Sequence, residues 1–398
     1  TMNKKNIWII NQYGSLLSTG IGRHRYLSRE LADLGYKVSL ISSRWSHVSK
    51  DKERVMSAPE LEEFENFKFL RLPTINYKNA HDKKRILNWF YFAFKLLGIG
   101  HKLNEKPDVI IYSSPSLIGY LSAYQLAKKY NAKLFFEVRD IWPLSIIQIG
   151  GYSPKNPFIR FLQWIEDFAY RKSDKVISVL PHAVEHMVER GMIHDKFIWI
   201  PNGIHPTELE NAEPLNKSVV SALPKDKFIV GYTGTFGLAN NLSSFIEAAK
   251  ILKEETEITF VLVGDGKEKS NLVKMAKNLK NVVFVDPIQN IQVQTMLKEF
   301  DACYISAKDL PLYKFGLSAN KLAQYMYAAK PIIHLIHPKN CECGISVKAD
   351  NPKLIAEAIM QLKALNPDER LKMGKTGYEY VVKNLNYITL TKKLAKLL

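Results

Sequence analysis

The sequence predicts an α/β protein of two doubly wound domains, and three observations carry that prediction. Short apolar runs of strand length alternate with amphipathic, helix-length segments almost from end to end. The alternation breaks once, over residues 204–226, where the chain turns polar and carries Pro206, Pro214 and Pro224. A length of 398 residues also exceeds what one hydrophobic core ordinarily organises. The expected layout is a first domain over 1–203, a linker over 204–226, a second domain over 227–380, and a C-terminal helix over 381–398 that packs back on the first domain.

In the first domain, residues 5–11 read as a buried strand. A loop with Gly14, Gly20 and Gly22 leads into a helix over 23–34, which Gly35 ends, and a second strand follows over 37–42. The glycines spell GxGxxR from Gly20 to Arg25. This fails the dinucleotide fingerprint, and no acidic residue closes the second strand, so NAD is not expected. Gly20 and Gly22 are read instead as letting a substrate approach the helix start.

After a strand over 67–72 comes an aromatic segment, 86–99, flanked by Lys83, Lys84 and Arg85 before it and His101 and Lys102 after it. It suits either a helix buried on most sides or an interfacial helix lying along a headgroup boundary. Strands at 108–113, 132–138, 174–179 and 197–201 then alternate with helices at 116–130, 158–172 and 181–190.

The second domain repeats the pattern. Strands are expected at 227–233, 257–264, 281–285, 301–306 and 331–336, with helices at 242–254, 267–278, 291–300 and 319–329, then two or three more helices to the end. In such sheets ligands bind beyond the strand carboxyl ends.

Composition bounds the function. A formal net charge of +17 draws the protein towards something anionic. No RRM, KH or zinc-finger pattern supports a nucleic-acid binder, and the aromatics cluster in apolar runs instead of alternating with cations. Three cysteines with no CxxC suggest neither a disulfide framework nor zinc, and fit a reducing cytosol. The opening residues lack the h-region and cleavage site of a signal peptide, and no apolar run is long enough to span a bilayer. With no DxD and no metal-ligand spacing, neither a metal nor another cofactor is expected.

Candidate site residues fall at strand ends and helix starts. Ser318 is a candidate N-cap for the helix carrying Asn320, Lys321 and Gln324. A cation in a first turn is unfavourable unless an anion neutralises it, so Lys321 with the helix N–H groups suits a bound diphosphate. GYTGTFGLANN, with Gly234, Thr235 and Gly237, follows a strand and lets backbone approach a phosphate or sugar, and the turn Gly264, Asp265, Gly266 recurs at the same sheet edge. In FFEVRDIWP, Glu137, Arg139 and Asp140 end an apolar strand. Charges there are costly unless paired or used, so a cleft position is expected over a structural ion pair, with Asp140 orienting or deprotonating an acceptor hydroxyl. Lys314 lies just before the 319–329 helix.

Taken together, RHRYLSRELADLGYKVSLIS, EVRDIWP, IPNGI, GYTGTFGLANNL, VGDG and FGLSANKLAQYMYAAKP resemble the retaining GT-B glycosyltransferases of family 4. The resemblance is to the bacterial branch that includes O-antigen and capsule N-acetyl-L-fucosamine transferases, and it covers nearly the whole chain. It implies a UDP-sugar donor held mainly by the second domain, with Gly234 and Thr235 against it, Gly264 to Gly266 near the nucleotide, and Asn320 and Lys321 at the diphosphate. Arg139 and Asp140 would face the transferred sugar and the acceptor. The implied mechanism is retaining and metal-independent, the departing diphosphate taking the acceptor proton. The implied acceptor is a sugar on undecaprenyl diphosphate, met at the anionic inner face of the cytoplasmic membrane by a cytoplasmic, peripheral protein.

The chain departs from the family where two glutamates are usual: Gly316 and Gln324 stand at the matching positions. A neutral Gln324 grips a ribose less strongly than a carboxylate would. A competing reading on the same fold is a UDP-N-acetylhexosamine 2-epimerase-like isomerase, against which the SANK and EVRD stretches favour transfer.

Overall fold

The computed structural model describes residues 5–14, 22–47, 56–77, 82–305, 307–316, 320–334 and 342–398. The chain divides into two compact units. Thr1–Pro201 with Lys314–Ser318 and Tyr387–Leu398 make the first, and Asn202–Tyr313 with Ala319–Asn386 the second.

The first unit is built on eight strands: β1 (Asn6–Asn11), β2 (Lys37–Ser43), β3 (Leu61–Phe64), β4 (Phe67–Leu72), β5 (Val109–Ser113), β6 (Lys133–Val138), β7 (Lys175–Ser178) and β8 (Phe197–Trp199). They lie in the order β3-β4-β2-β1-β5-β6-β7-β8, all parallel except β3. Every residue of β1 is buried, as a central parallel strand covered on both faces requires. Ile7 and Ile9 pack on one face with Leu27 and Leu31 of helix Arg23–Asp33 and with Tyr387, Leu390 and Leu394 of the last helix, Tyr387–Ala395. On the other face Tyr112, Tyr120, Phe136 and Tyr170 make a chain of ring contacts.

Strand β3 has no counterpart in the sequence pattern. LEEF holds too few apolar residues to read as a strand, and the hairpin to β4 depends on Glu65, whose φ of 54° a pattern does not reveal.

The second unit contains β9 (Phe228–Thr233), β10 (Ile258–Val263), β11 (Val282–Val285), β12 (Ala302–Ile305), β13 (Ile332–His334) and β14 (Gly344–Ser346), ordered β11-β10-β9-β12-β13-β14 and all parallel. Alternation along the strands sends Val230, Tyr232, Phe260 and Leu262 towards helices Leu242–Ile251 and Pro352–Ala364. Ile229, Val261 and Val263 face the opposite core, with Met326 of helix Asn320–Tyr327. Three-residue β14 is too short to announce itself in sequence.

The segment expected as a linker is folded. Pro206 opens the helix Pro206–Glu210 at its first position, Lys217–Ala222 is a second helix, and Leu209, Leu215 and Val219 pack against the core of the second unit. Proline here marks a helix start where the sequence reading took it for a break.

In each sheet the strand order reverses beside the first strand, between β1 and β5 and between β9 and β12. The carboxyl ends of these strands are where a doubly wound sheet leaves a crevice, and both candidate clusters form there.

Candidate functional site

In the first unit, Glu137 near the end of β6 is 2% exposed, and both its carboxylate oxygens are occupied. Arg23 donates to Oε1 at 2.8 Å, and His24 Nε2 and Ser113 Oγ meet Oε2, each at 2.6 Å. Asn11 Nδ2 faces His24 Nδ1 at 3.2 Å, so a neutral ring with its proton on Nε2 satisfies both contacts. Burial, the largest influence, lowers the His24 pKa and keeps the ring neutral, opposed by Glu137. Burial alone would raise Glu137, but the Arg23 charge and the hydrogen bonds from His24 and Ser113 hold it well below the usual carboxylate range. The expected cleft role of Glu137 therefore gives way to the ion pair: its carboxylate anchors the first turn of helix Arg23–Asp33 to the sheet. Arg23 also donates to the carbonyls of Pro201 at 2.6 Å and Ile200 at 2.9 Å, tying that turn to the segment after β8.

Arg139 and Asp140 follow one step further along the same strand end. Arg139 is fixed through its backbone N–H, which donates to Ser114 Oγ at 2.9 Å, while its Nε has no partner among the described residues. Burial lowers its pKa. Asp140 accepts from Ser145 Oγ and from the Trp142 indole N–H at 3.2 Å, and burial raises its pKa. A carboxylate held this way is a poised acceptor for a hydroxyl proton.

In the second unit, Gly234 follows β9 at a φ of 139°, Gly264 follows β10 at 147° and Gly266 lies at 158°. A Cβ on Gly264 would stand 1.9 Å from the Gly234 carbonyl oxygen, so the two turns touch through backbone alone. Lys321, in the first turn of helix Asn320–Tyr327, reaches under them. Its Nζ donates to Tyr232 Oη at 2.6 Å, lies 4.3 Å from that ring's centre, and would be 2.9 Å from a Cβ on Gly234. Asn240 Oδ1 is a longer contact at 3.4 Å. Burial lowers its pKa to about 8. No carboxylate stands within ion-pair distance of Lys321 among the described residues, which leaves a half-buried cation that an incoming anion can neutralise.

Thr235 is exposed, and its carbonyl accepts from Tyr232 Oη at 2.8 Å and Asn240 Nδ2 at 2.9 Å, closing the loop around Gly237. Asp265 is exposed, accepts from the Gly266 N–H and stands 4.0 Å from Lys269. The Gln324 carbonyl is held by Gln294 Nε2. Gly22 makes room for the Tyr26 ring, which a Cβ there would meet at 2.2 Å. Lys314 belongs to the first unit, exposed, with Nζ 5.0 Å from the centre of the Phe315 ring. Gly20 and Ser318 lie outside the described residues.

Gly316 has a φ of 91°, and a Cβ there would fall 2.6 Å from Pro181 Cγ. A glutamate at this position is incompatible with this backbone, a physical reason for the departure at the first glutamate position. Sequence reasoning missed Arg23, His24 and Tyr232. Arg23 carried the same signal as Lys321, a cation in a helix first turn, but Tyr232 carried none.

Residues 19–208 match the family described as Glycosyltransferase Family 4, and residues 227–364 the one described as Glycosyl transferases group 1. Over 249 residues the chain is 26% identical to WcaI of Escherichia coli (strain K12), whose name assigns it to colanic acid biosynthesis as a glycosyl transferase. The match spans 59% of this chain and 59% of that relative's length. Sucrose-phosphate synthase from Thermosynechococcus elongatus has a similar structure, with a TM-score of 0.75 and 20% identity over 99% of this chain and 98% of that one. Anabaena HepE, solved with UDP-glucose, gives a TM-score of 0.68 and 13% identity over 99% of each chain. The fold is therefore GT-B, two Rossmann-like parallel-sheet domains.

Proposed function

We propose, from the chain's place among the family 4 glycosyltransferases, that it transfers a sugar from a UDP-sugar donor to a saccharide acceptor in glycan biosynthesis. The observation that carries the donor half is Lys321: a half-buried ammonium with no carboxylate partner among the described residues, beneath two glycine turns at the carboxyl edge of the second sheet. A diphosphate supplies the missing charge, and the glycines let it come close to the backbone.

The finer reading is a retaining, metal-independent transfer of an N-acetylamino sugar such as N-acetyl-L-fucosamine, within O-antigen or capsule synthesis. The acceptor is a sugar on undecaprenyl diphosphate, reached by a peripheral protein at the anionic inner face of the cytoplasmic membrane. Asp140 orients the acceptor hydroxyl and Arg139 faces the transferred sugar. Lys321 stabilises the diphosphate as its charge develops, and the leaving group takes the acceptor proton. Asn320 with Ser318 completes the diphosphate contacts, and Gln324 reaches the ribose. Both family matches are to transferases, which disfavours the isomerase.

Thermal stabilisation against UDP, GDP, ADP, CMP and NAD tests the donor assignment. UDP at a hundred times its Kd is expected to stabilise by about 2.7 kcal/mol, and Lys321→Ala to lose that shift. No shift with any nucleotide would overturn the donor reading.

A further inference from the structure

We infer that the outer face of helices Lys84–Leu96 and Pro157–Lys172 docks on an anionic bilayer surface. The use of that contact rests on the lipid-linked acceptor reading above; its geometry does not.

Helix Lys84–Leu96 is apolar on two opposite sides. Trp89, Phe92, Ala93 and Leu96 are buried inward. Leu87, Phe90 and Phe94, followed by Leu97 just past the helix, repeat at steps of three, four and three residues and stay exposed, Phe94 at 67%. One apolar stripe suffices to hold a helix on a domain, so the second needs a partner of its own. The outer stripe continues onto a neighbouring helix: Phe90 stacks on Phe161, with ring centres 6.4 Å apart and planes 6° from parallel, and Phe161 stacks on Trp164, itself 49% exposed. A row of exposed rings bordered by cations suits the headgroup boundary.

Charge selects the occupant. Helix Lys84–Leu96 has no acidic residue. In Pro157–Lys172 the two acids are engaged with other residues, Glu166 with Tyr170 and His186 and Asp167 with Arg190. Lys84, Lys95 and Arg160 border the row. A second copy of a chain of net charge +17 would press like charges together, whereas anionic headgroups neutralise them. Among the described residues no helix is long and apolar enough to cross a membrane, so the contact is one of surface docking.

The inner edge of the row leads to the acceptor candidates. Phe158 stacks on Trp89 at 6.2 Å, Trp89 meets Trp142 edge-on at 5.4 Å, and the Trp142 indole N–H donates to Asp140. Ring contacts on the inward side of helix Lys84–Leu96 thus connect the helix that carries the row to the residue proposed to orient the acceptor hydroxyl.

The test is co-sedimentation of the full chain with phosphatidylglycerol-containing vesicles and with phosphatidylcholine vesicles, at low and high salt. Binding is expected to the anionic vesicles alone and to weaken with salt. The exposed triple variant Phe90→Ser, Phe94→Ser, Trp164→Ser should lower partitioning about tenfold or more, and Lys84→Glu with Lys95→Glu should abolish the preference for anionic lipid. A cooperative thermal melt and a far-ultraviolet circular dichroism spectrum like the wild type's serve as the fold check for both variants. Absence of wild-type binding, binding unchanged in both variants, or a dimer in solution that the triple variant dissolves would overturn the inference. Vesicle binding by a protein that shows no UDP shift would support the docking face while overturning the donor reading.

Discussion

Lys321 Nζ and Tyr232 Oη stand 2.6 Å apart, and the same phenol donates to the Thr235 carbonyl at 2.8 Å. One side chain thus fixes both the candidate diphosphate cation and the loop that would cover the donor. Tyr232→Phe removes the two hydrogen bonds and keeps the ring under the ammonium. The expected result is UDP binding weaker by about five- to tenfold, the equivalent of one net hydrogen bond of ~1 kcal/mol, with little change in Tm. Isothermal titration of variant and wild type measures it, and equal affinities would mean that Tyr232 does not position Lys321 for the ligand.

The lowered Lys321 pKa sets a pH window. In the free protein burial disfavours the charged form, so between about 8 and the ordinary 10.5 the folded state holds fewer protons than the unfolded one, and stability from this group rises with pH. A bound diphosphate requires the ammonium. UDP affinity should therefore be greatest below about pH 8 and decline above it, with proton uptake on binding near that pH. Calorimetry in buffers of different ionisation heat reads the uptake. Lys321→Met should eliminate it, and persistence of the same uptake in that variant would place the titrating group elsewhere.

Glu137→Gln keeps the shape of the buried cluster while leaving the Arg23 charge without its partner. Such a change is expected to cost about 3–5 kcal/mol, measured by urea unfolding. Because the folded carboxyl is held well below its ordinary range, its contribution is complete above the unfolded value and is lost as pH falls through the folded one. Acid destabilisation should accordingly be shallower in the variant, and identical acid profiles would show that Glu137 is not the group responsible.

The two departures from the family's glutamates should respond differently. Gly316→Glu must either shift Pro181 or leave a φ of 91°, so a loss of about 1–3 kcal/mol is expected with no gain in donor affinity. Gln324→Glu offers a ribose hydroxyl a charged acceptor and should tighten UDP several-fold, by about 1 kcal/mol. A stable Gly316→Glu protein that binds UDP better would contradict the backbone explanation.

Most of the fold was legible because its signals are local. Buried parallel strands read as short apolar runs, and β1 and β10 lie within a residue of where those runs placed them. What was missed had weak or ambiguous local signals: β3, whose LEEF hairpins through Glu65, the helices over 206–222 that prolines disguised, and β14. Asp140 and Lys321 could be nominated from sequence because a charge at a strand end or a cation in a first turn is costly unless it is used.

The sequence by itself determined the two doubly wound domains, the glycine turns at the strand ends, and the cationic character of the chain, each a property of neighbouring residues or of composition. Only the tertiary structure decided which charges are occupied. Glu137 and Asp140 stand three residues apart in one motif; one is held by Arg23 and His24, more than a hundred positions away, and the other by Ser145 and Trp142 close by. Whether a carboxylate is anchor or acceptor depends on who meets it across the sheet, and that is set by packing between elements remote in sequence.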